Sequence, residues 1–230
     1  MGNKVFVVIA AFNEEHSVPK VIRELHKAGY KNVVVVDDGS KDKTYEAALD
    51  AGATVLQHIV NRGQGAALQT GIDYALEQDA DIIVTFDADG QHRVEDIPAM
   101  VKPVESGKYD VTFGSRFLTK QSKENVPFLR KLYLKVGILV LLLFYGVRMT
   151  DAHNGFRALS REAAQKIRIT ADRMAHASEI VEEVHRLKLK YREIPVVIRY
   201  TDETLRKGHG SFREGCRILY TMIVKKFLLR

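Results

Sequence analysis

The sequence predicts an α/β fold in which a mostly parallel sheet carries helices on both faces, and three observations predict it. Short runs rich in β-branched and aromatic residues alternate with segments whose apolar residues recur at helical spacing. The runs are almost wholly apolar, as in strands buried on both faces and joined by βαβ crossovers. Polar clusters follow the strands: Phe12-Asn13-Glu14, Asp37-Asp38, Asn61-Arg62-Gly63 and Asp87-Ala88-Asp89. That lines them along the carboxyl edge, where such sheets bind ligands.

Taken in order, Lys4 to Ala10 reads as a strand, and Glu15 to Lys27 as a helix with Val18, Val21, Ile22 and Leu25 on one face. Asn32 to Val36 is a buried strand, Lys43 to Ala51 a helix, Thr54 to His58 a strand, Gln64 to Glu77 a helix, and Ile82 to Phe86 the central strand. A helix is expected over Val94 to Val104 and a strand over Tyr109 to Gly114. Val136 to Val147 is an apolar run between Lys135 and Arg148. As a helix it would reach about 18 Å, too short to span a bilayer core, and it suits either a buried helix or one lying on a membrane surface. Phe156 to Leu159 reads as a late strand. Beyond them Phe212, Cys216, Leu219, Ile223 and Phe227 form an apolar stripe at helical spacing. The expected division is one domain over 1–200 and a basic amphipathic loop and helix over 201–230.

With 230 residues, 46% of them hydrophobic, the chain can build a substantial core. Of its net charge of +6, residues 199–230 carry +5, from eight Lys and Arg against three Asp and Glu. Basicity confined to one tail, without interleaved aromatics, argues against nucleic acid and suits an anionic membrane surface. The lone Cys216 precludes an internal disulfide, and the first residues lack the apolar segment of a secretory signal. A cytoplasmic protein is expected, peripheral at the inner face of a membrane.

Asp87 and Asp89 carry the chemistry. Residues i and i+2 of an extended strand share a face, so two carboxylates at a strand end converge on one point and call for a hard divalent cation, Mg²⁺ or Mn²⁺, with substrate phosphates among its ligands. The alternative is an acidic turn in which Asp89 caps the following helix. Asp37, an acceptor-only carboxylate, suits the donors of a nucleoside; equally, Asp38, Ser40 and Asp42 around it suit helix capping. Gly63 and Gly65 allow close backbone approach to an anion at a helix N-terminus, or make a sharp turn. Asp151 opens the polar turn Asp-Ala-His-Asn-Gly-Phe-Arg and is chemically able to act as a general base. Glu179 reads as a solvent-facing glutamate on an amphipathic helix, and His153 and His176 lack partners at metal-ligand spacing.

In order, Ala10-Ala11-Phe12-Asn13-Glu14-Glu15, Asp37-Asp38-Gly39-Ser40-x-Asp42-x-Thr44, Asn61-x-Gly63-x-Gly65-x-Ala67, Asp87-Ala88-Asp89-Gly90-Gln91-His92, Gly114-Ser115-Arg116 and Asp151-x-x-x-Gly155-Phe156-Arg157 resemble the family 2 glycosyltransferases. Within that family the chain is most similar to the dolichol-phosphate mannose synthase-like and polyprenyl-phosphate glycosyltransferase branch, over roughly Lys4 to Tyr200. The resemblance implies a Rossmann-like GT-A fold with a mixed sheet, a GDP- or UDP-linked sugar donor, Mg²⁺ or Mn²⁺, and inversion at the anomeric carbon. By the same resemblance Phe12 and Glu14 contact the nucleoside and Asp37 the base or ribose, with Gly63, Gly65 and Asp87 also on the donor. Asp87, Asp89 and Gln91 then hold metal and diphosphate, Arg116 and Arg130 hold the acceptor phosphate, and Asp151 belongs to the acceptor pocket. Glu193 to Tyr200 resembles the late strand of that family, and many relatives have Pro and Tyr where Ala10 and Phe12 stand.

The expected activity is transfer of a hexose, of mannose or glucose type, to a polyprenyl or dolichyl phosphate at the cytoplasmic membrane face. A rival transfers sugar to a saccharide or protein hydroxyl and needs Asp151 as a true base, whereas a phosphate acceptor, with a second pKa of about 6, is largely deprotonated already. A nucleotide-sugar-binding module without catalysis is a further rival, against which the set Asp37, Asp87, Asp89 and Asp151 stands.

Overall fold

A computed structural model of the chain describes residues 3–119, 142, 147, 149–171 and 176–199. Its strands are β1 (Val5–Ala11), β2 (Asn32–Asp37), β3 (Thr54–Gln57), β4 (Ile82–Asp87), β5 (Val111–Ser115), β6 (Arg157–Ser160) and β7 (Tyr191–Pro195). Among the described residues they form one seven-stranded sheet in the order β3-β2-β1-β4-β6-β5-β7. Strands β3, β2, β1 and β4 pair in parallel, β6 runs antiparallel to both neighbours, and β7 is parallel to β5. This is the mostly parallel, mixed sheet of the GT-A type.

The helices are α1 (Val18–Lys27), α2 (Thr44–Asp50), α3 (Gln64–Glu77), α4 (Ile97–Glu105), α5 (Arg161–Lys166) and α6 (His176–Arg186). Successive strand residues point to opposite faces, so each strand feeds two cores. Val7, Ile9, Val33 and Val35 pack with Ile22 and Leu25 of α1 and Ile97 and Met100 of α4. Phe6, Val8 and Val34 pack with Leu68 and Ile72 of α3 and Val181 and Val184 of α6. Burial on both faces is why the strands read as unbroken apolar runs.

Three elements differ from the sequence reading by three residues or more at one end. Helix α1 starts at Val18, not Glu15, because Glu14 O accepts from Ser17 N at 3.1 Å and from Val18 N at 3.0 Å in a preceding turn, and Pro19 then fits the first helical turn. The helix expected over Val94 to Val104 opens with a 3₁₀ turn, Val94–Asp96, before α4. Asp89 therefore caps no helix, and its Oδ1 accepts from Gln91 N at 2.9 Å. The last strand lies at Tyr191–Pro195 instead of Glu193 to Tyr200. Past Pro195 only Val196 still bonds β5, donating to Ser115 O at 3.0 Å; Val197 N then donates to Asp96 Oδ2 at 3.2 Å and Arg199 N to Gln91 O at 2.9 Å. The chain leaves the ladder to brace the loop after β4.

Arg130, residues 201–230 and most of Val136–Val147 lie outside the described residues, although Val147 itself is buried in the core beneath α3. Among the described residues no helix is long and apolar enough to cross a membrane.

Gly71 sets how closely α3 rides on the sheet, since a Cβ there would come within 2.4 Å of Val8 Cγ1. Gly71→Ala gains roughly 1 kcal/mol of helix propensity and incurs overpacking of typically about 1–3 kcal/mol. At that separation the clash should win. Urea unfolding is expected to show a lower midpoint at unchanged slope, and an equal or higher midpoint would mean that α3 can retreat without cost.

Candidate active site

Strand β1 has β2 on one side and β4 on the other, the switch point at which an open sheet parts to admit a ligand. A cleft of about 630 Å³ opens there. Phe12 and Glu14 line it just after β1, Gly63 and Gln64 line it where α3 begins, and Asp87 at the end of β4 lines it with Asp89 and Gln91 just beyond. Because β6 is antiparallel, its first residue, Arg157, lies opposite Thr85 at the same edge and brings the preceding turn with it. Thr85 Oγ1 donates to Gly155 O at 2.6 Å and secures that turn.

Strand β4 ends at Asp87 and the chain turns through Gly90, at φ 73°. The two carboxylates thus meet in the cleft through a turn, correcting the expectation of an extended strand continued to Asp89. Asp87 keeps 28% of its side-chain surface exposed. Its Oδ1 accepts from Gln64 Nε2 at 3.3 Å, and its Oδ2 lies 2.8 Å from His92 Nε2, whose ring points off the line of a regular hydrogen bond. Burial alone would raise the Asp87 carboxyl, yet His92, Arg157 and His176 outweigh it and hold it below the usual range. Asp89 goes the other way, since burial and then the Asp87 charge push it up to about 6.

Two mutually repelling carboxylates open to one cleft, with the Gln91 amide beside them, fit a hard divalent cation. Among the described residues no group of three or more His, Cys, Asp or Glu could hold a metal. An ion at this place would therefore draw further ligands from water and a bound diphosphate, as Mg²⁺ commonly does.

Two expected donor contacts lie elsewhere. Asp37 is buried and absent from the lining; its Oδ1 accepts from Ser40 N at 3.2 Å and its Oδ2 from Gln57 Nε2 at 3.0 Å. Its neighbour Asp38 reaches the cleft while accepting from Arg62 N at 2.9 Å and Gly63 N at 2.6 Å. Gly65 is also off the lining, and the close approach that its missing Cβ permits is to Ala171 O, which a Cβ would meet at 2.0 Å. Ahead of α2, whose N-cap position is Lys43, Asp42 Oδ1 accepts from the first helical amide, Thr44 N, at 3.0 Å.

Asp151 is 1% exposed and its carboxylate is engaged by Arg116: Nε donates to Oδ2 at 2.6 Å, Nη2 to Oδ1 at 2.7 Å, and the backbone N to Oδ2 at 3.1 Å. Glu193 on β7 holds the turn from behind, accepting from Thr150 N at 2.9 Å and Asp151 N at 3.0 Å. Arg116 borders the cleft; Asp151 does not. Glu179, expected to face solvent, instead accepts from Thr170 N at 3.0 Å and Ala171 N at 2.8 Å, fixing the segment against which Gly65 packs.

Sequence reasoning missed His92, Gly155 and Arg157, and set aside His153 and His176, which also line the cleft. Burial pushes His153 down to about 4 against the pull of Asp151, with Arg116 and Arg157 adding to the push, so the ring is neutral at neutral pH. The available signal was a polar turn whose final arginine sits between the apolar residues Phe156 and Ala158.

Residues 6–168 match the family model described as Glycosyl transferase family 2. The chain is 41% identical over 226 residues to an uncharacterized protein of Methanocaldococcus jannaschii, covering 97% of this chain and 93% of that one. It is 30% identical to the UDP-N-acetylglucosamine–dolichyl-phosphate N-acetylglucosaminyltransferase of Methanococcus voltae, covering 96% of each. Further relatives at 29% identity are named as polyprenyl- or dolichyl-phosphate mannosyl- and glucosyltransferases. The fold resembles glucosyl-3-phosphoglycerate synthase of Mycobacterium tuberculosis, solved with Mn²⁺ and uridine-diphosphate-glucose, at a TM-score of 0.71 and 19% identity over 98% of this chain and 79% of that one.

Gly155 has a specific consequence for Asp87, because a Cβ at 155 would come within 2.4 Å of Asp87 Oδ1. Gly155→Ala is expected to turn that carboxylate aside and weaken Mn²⁺-dependent nucleotide binding by about 10–100-fold, the range seen when a ligand's supporting contacts are lost. Calorimetric titration of UDP and GDP, each with Mn²⁺, measures this on protein shown to be folded by circular dichroism. Unaltered affinity would separate Asp87 from the metal.

Proposed function

As the chain belongs to glycosyl transferase family 2, we propose that it transfers a hexose from a nucleotide-diphosphate sugar to the phosphate of a polyprenyl or dolichyl lipid. Phe12, 42% exposed at the cleft, offers a face to the nucleoside, with Glu14 beside it. Asp87, Asp89 and Gln91 would hold Mg²⁺ or Mn²⁺, which neutralises diphosphate charge when bound. In the reaction an acceptor phosphate oxygen bonds to the anomeric carbon as the bond to the donor diphosphate breaks, with inversion.

The state of Asp151 favours a phosphate acceptor over a hydroxyl. A hydroxyl loses its proton during attack and needs a base within hydrogen-bond reach. Asp151 is off the cleft lining, with both oxygens engaged by Arg116. A phosphate dianion needs no base; it needs cations to bring it beside an anionic donor, and Arg116 and, from the sequence, Arg130 are suited to this. Asp151 then serves to hold the Arg116 fork in place.

Transfer assays with GDP-mannose, UDP-glucose and UDP-N-acetylglucosamine, against a prenyl phosphate and a panel of sugar hydroxyls, test the proposal. Product is expected only with the prenyl phosphate and only with divalent metal. Arg130→Ala should lower turnover at least as much as Asp151→Asn, both on protein shown to be folded. Asp151→Asn abolishing transfer while Arg130→Ala is nearly silent would move the case to the hydroxyl acceptor.

Residues 199–230, with their +5 charge, are proposed to rest on anionic lipid where the acceptor resides, at the cytoplasmic face. Flotation with anionic liposomes should show binding at 0.1 M salt that fades at 1 M, as the Debye length shrinks from about 10 Å to about 3 Å. Absence of binding at low salt would remove the membrane from this account.

A further inference from the structure

Arg157 is the largest of the fully buried side chains, at 0% exposure, and it borders the cleft. Among the described residues its Nε, Nη1 and Nη2 have no hydrogen-bond partner. A guanidinium carries five donors in a fixed fork, and burying such a group unpaired is strongly unfavourable, the more so when it is charged. Burial pushes it down to about 10, with Asp87 and then Asp151 opposing, so it stays charged at neutral pH. An unmet cation of this kind favours a ligand only if an anion can reach it, and the antiparallel start of β6 sets it opposite Thr85 at the ligand-binding edge, on the lining of the cleft.

The charges around it indicate which anion. Arg116 and Asp151 answer one another through a two-pronged contact, while Asp87 and Asp89 would answer a divalent ion. A donor diphosphate has that ion and the start of α3, at Gly63 and Gln64, beside it. The acceptor phosphate has, among the described lining residues, Arg116 with two of its nitrogens already committed to Asp151. We infer that Arg157 binds the phosphate of the acceptor, meeting its oxygens from beneath the cleft after a small rotation of its long side chain. This rests on the prenyl-phosphate reading and adds to it a ligand contact from the end of the Asp151-to-Arg157 turn.

The test compares wild type with Arg157→Gln and Arg157→Lys. For Arg157→Gln, KM for a short-chain prenyl phosphate should rise about 10- to 100-fold, the size of a lost charge-assisted hydrogen bond, with calorimetric affinity for UDP or GDP with Mn²⁺ nearly unchanged. Arg157→Lys, which keeps the charge and loses the fork, should fall between. Inorganic phosphate should raise the melting temperature of wild type and do so much less in either variant; this readout, with Arg157→Lys, decides the matter if Arg157→Gln does not fold. Weakened nucleotide binding with an unchanged acceptor KM would hand Arg157 to the donor and overturn the inference. An unchanged acceptor KM with merely reduced stability would overturn it too, leaving a structural countercharge. Wild type failing to use any prenyl phosphate would instead overturn the functional reading beneath it.

Discussion

The site depends on β6 entering the sheet antiparallel, between β4 and β5. In the parallel half only strand ends and the loops after them reach the carboxyl edge. Reversing one strand delivers the start of β6 there, so the turn from Asp151 to Gly155 comes to rest against Asp87. The Thr85–Arg157 register and the bond from Thr85 Oγ1 to Gly155 O fix the approach. It is so close that residue 155 has no room for a Cβ beside the Asp87 carboxylate. Asp87, Asp89 and Arg157 border one cleft because of this single reversal.

Such crowding concentrates charge in a poorly solvated place, and the chain handles the two signs differently. Arg116 and Asp151 are buried as a two-pronged pair, a geometry in which Coulomb attraction and hydrogen bonding act together against desolvation. Glu193 and Ser115 supply further polar contacts to that turn, so it is fixed from two strands. Asp87 and Asp89 open to the same cleft and shift in opposite directions: His92, Arg157 and His176 hold the Asp87 carboxyl down, whereas burial and then the Asp87 charge raise that of Asp89. A paired charge suits a fixed scaffold; an unrelieved pair of acids suits a cation that arrives with the substrate.

Most of the fold was legible in the sequence because burial on both faces leaves a blunt signal. The run Ile82 to Phe86 is apolar on both sides, and Gln64 to Glu77 is bounded as the structure bounds it. The acids Asp87 and Asp89 were legible for the same reason, as the first charges after such a run. The direction of β6 and the contacts of Asp37 and Gly65 were not legible. Strand polarity follows from pairing with distant residues, and Asp37 serves Gln57 on the neighbouring strand, a partner that no local pattern names. Glu179 was misjudged likewise, since the segment it caps at Thr170–Ala171 lies outside its own helix. For Arg130 and the basic tail the sequence remains the source of every inference.

The rule that buried polar groups find partners is obeyed across most of the described chain and broken mainly near the cleft, where Arg157, Nδ1 of His92 and Asn154 have polar atoms without hydrogen-bond partners among the described residues, as has Ser178 next to the lining residue Ala177. A defect of folding would have no reason to gather at the switch point of the sheet. Concentration there follows if the missing partners belong to a ligand, because a group satisfied inside the protein in advance would have to give up that bond to hold substrate. The two apolar cores that flank the sheet supply the stability that lets these groups stay unmet. On this view the polar strand-end clusters and the orphaned arginine have one origin. Among the described residues the interior of this fold leaves charge unanswered along its ligand-binding edge, and on the function proposed above the groups for a diphosphate and a phosphate are collected there.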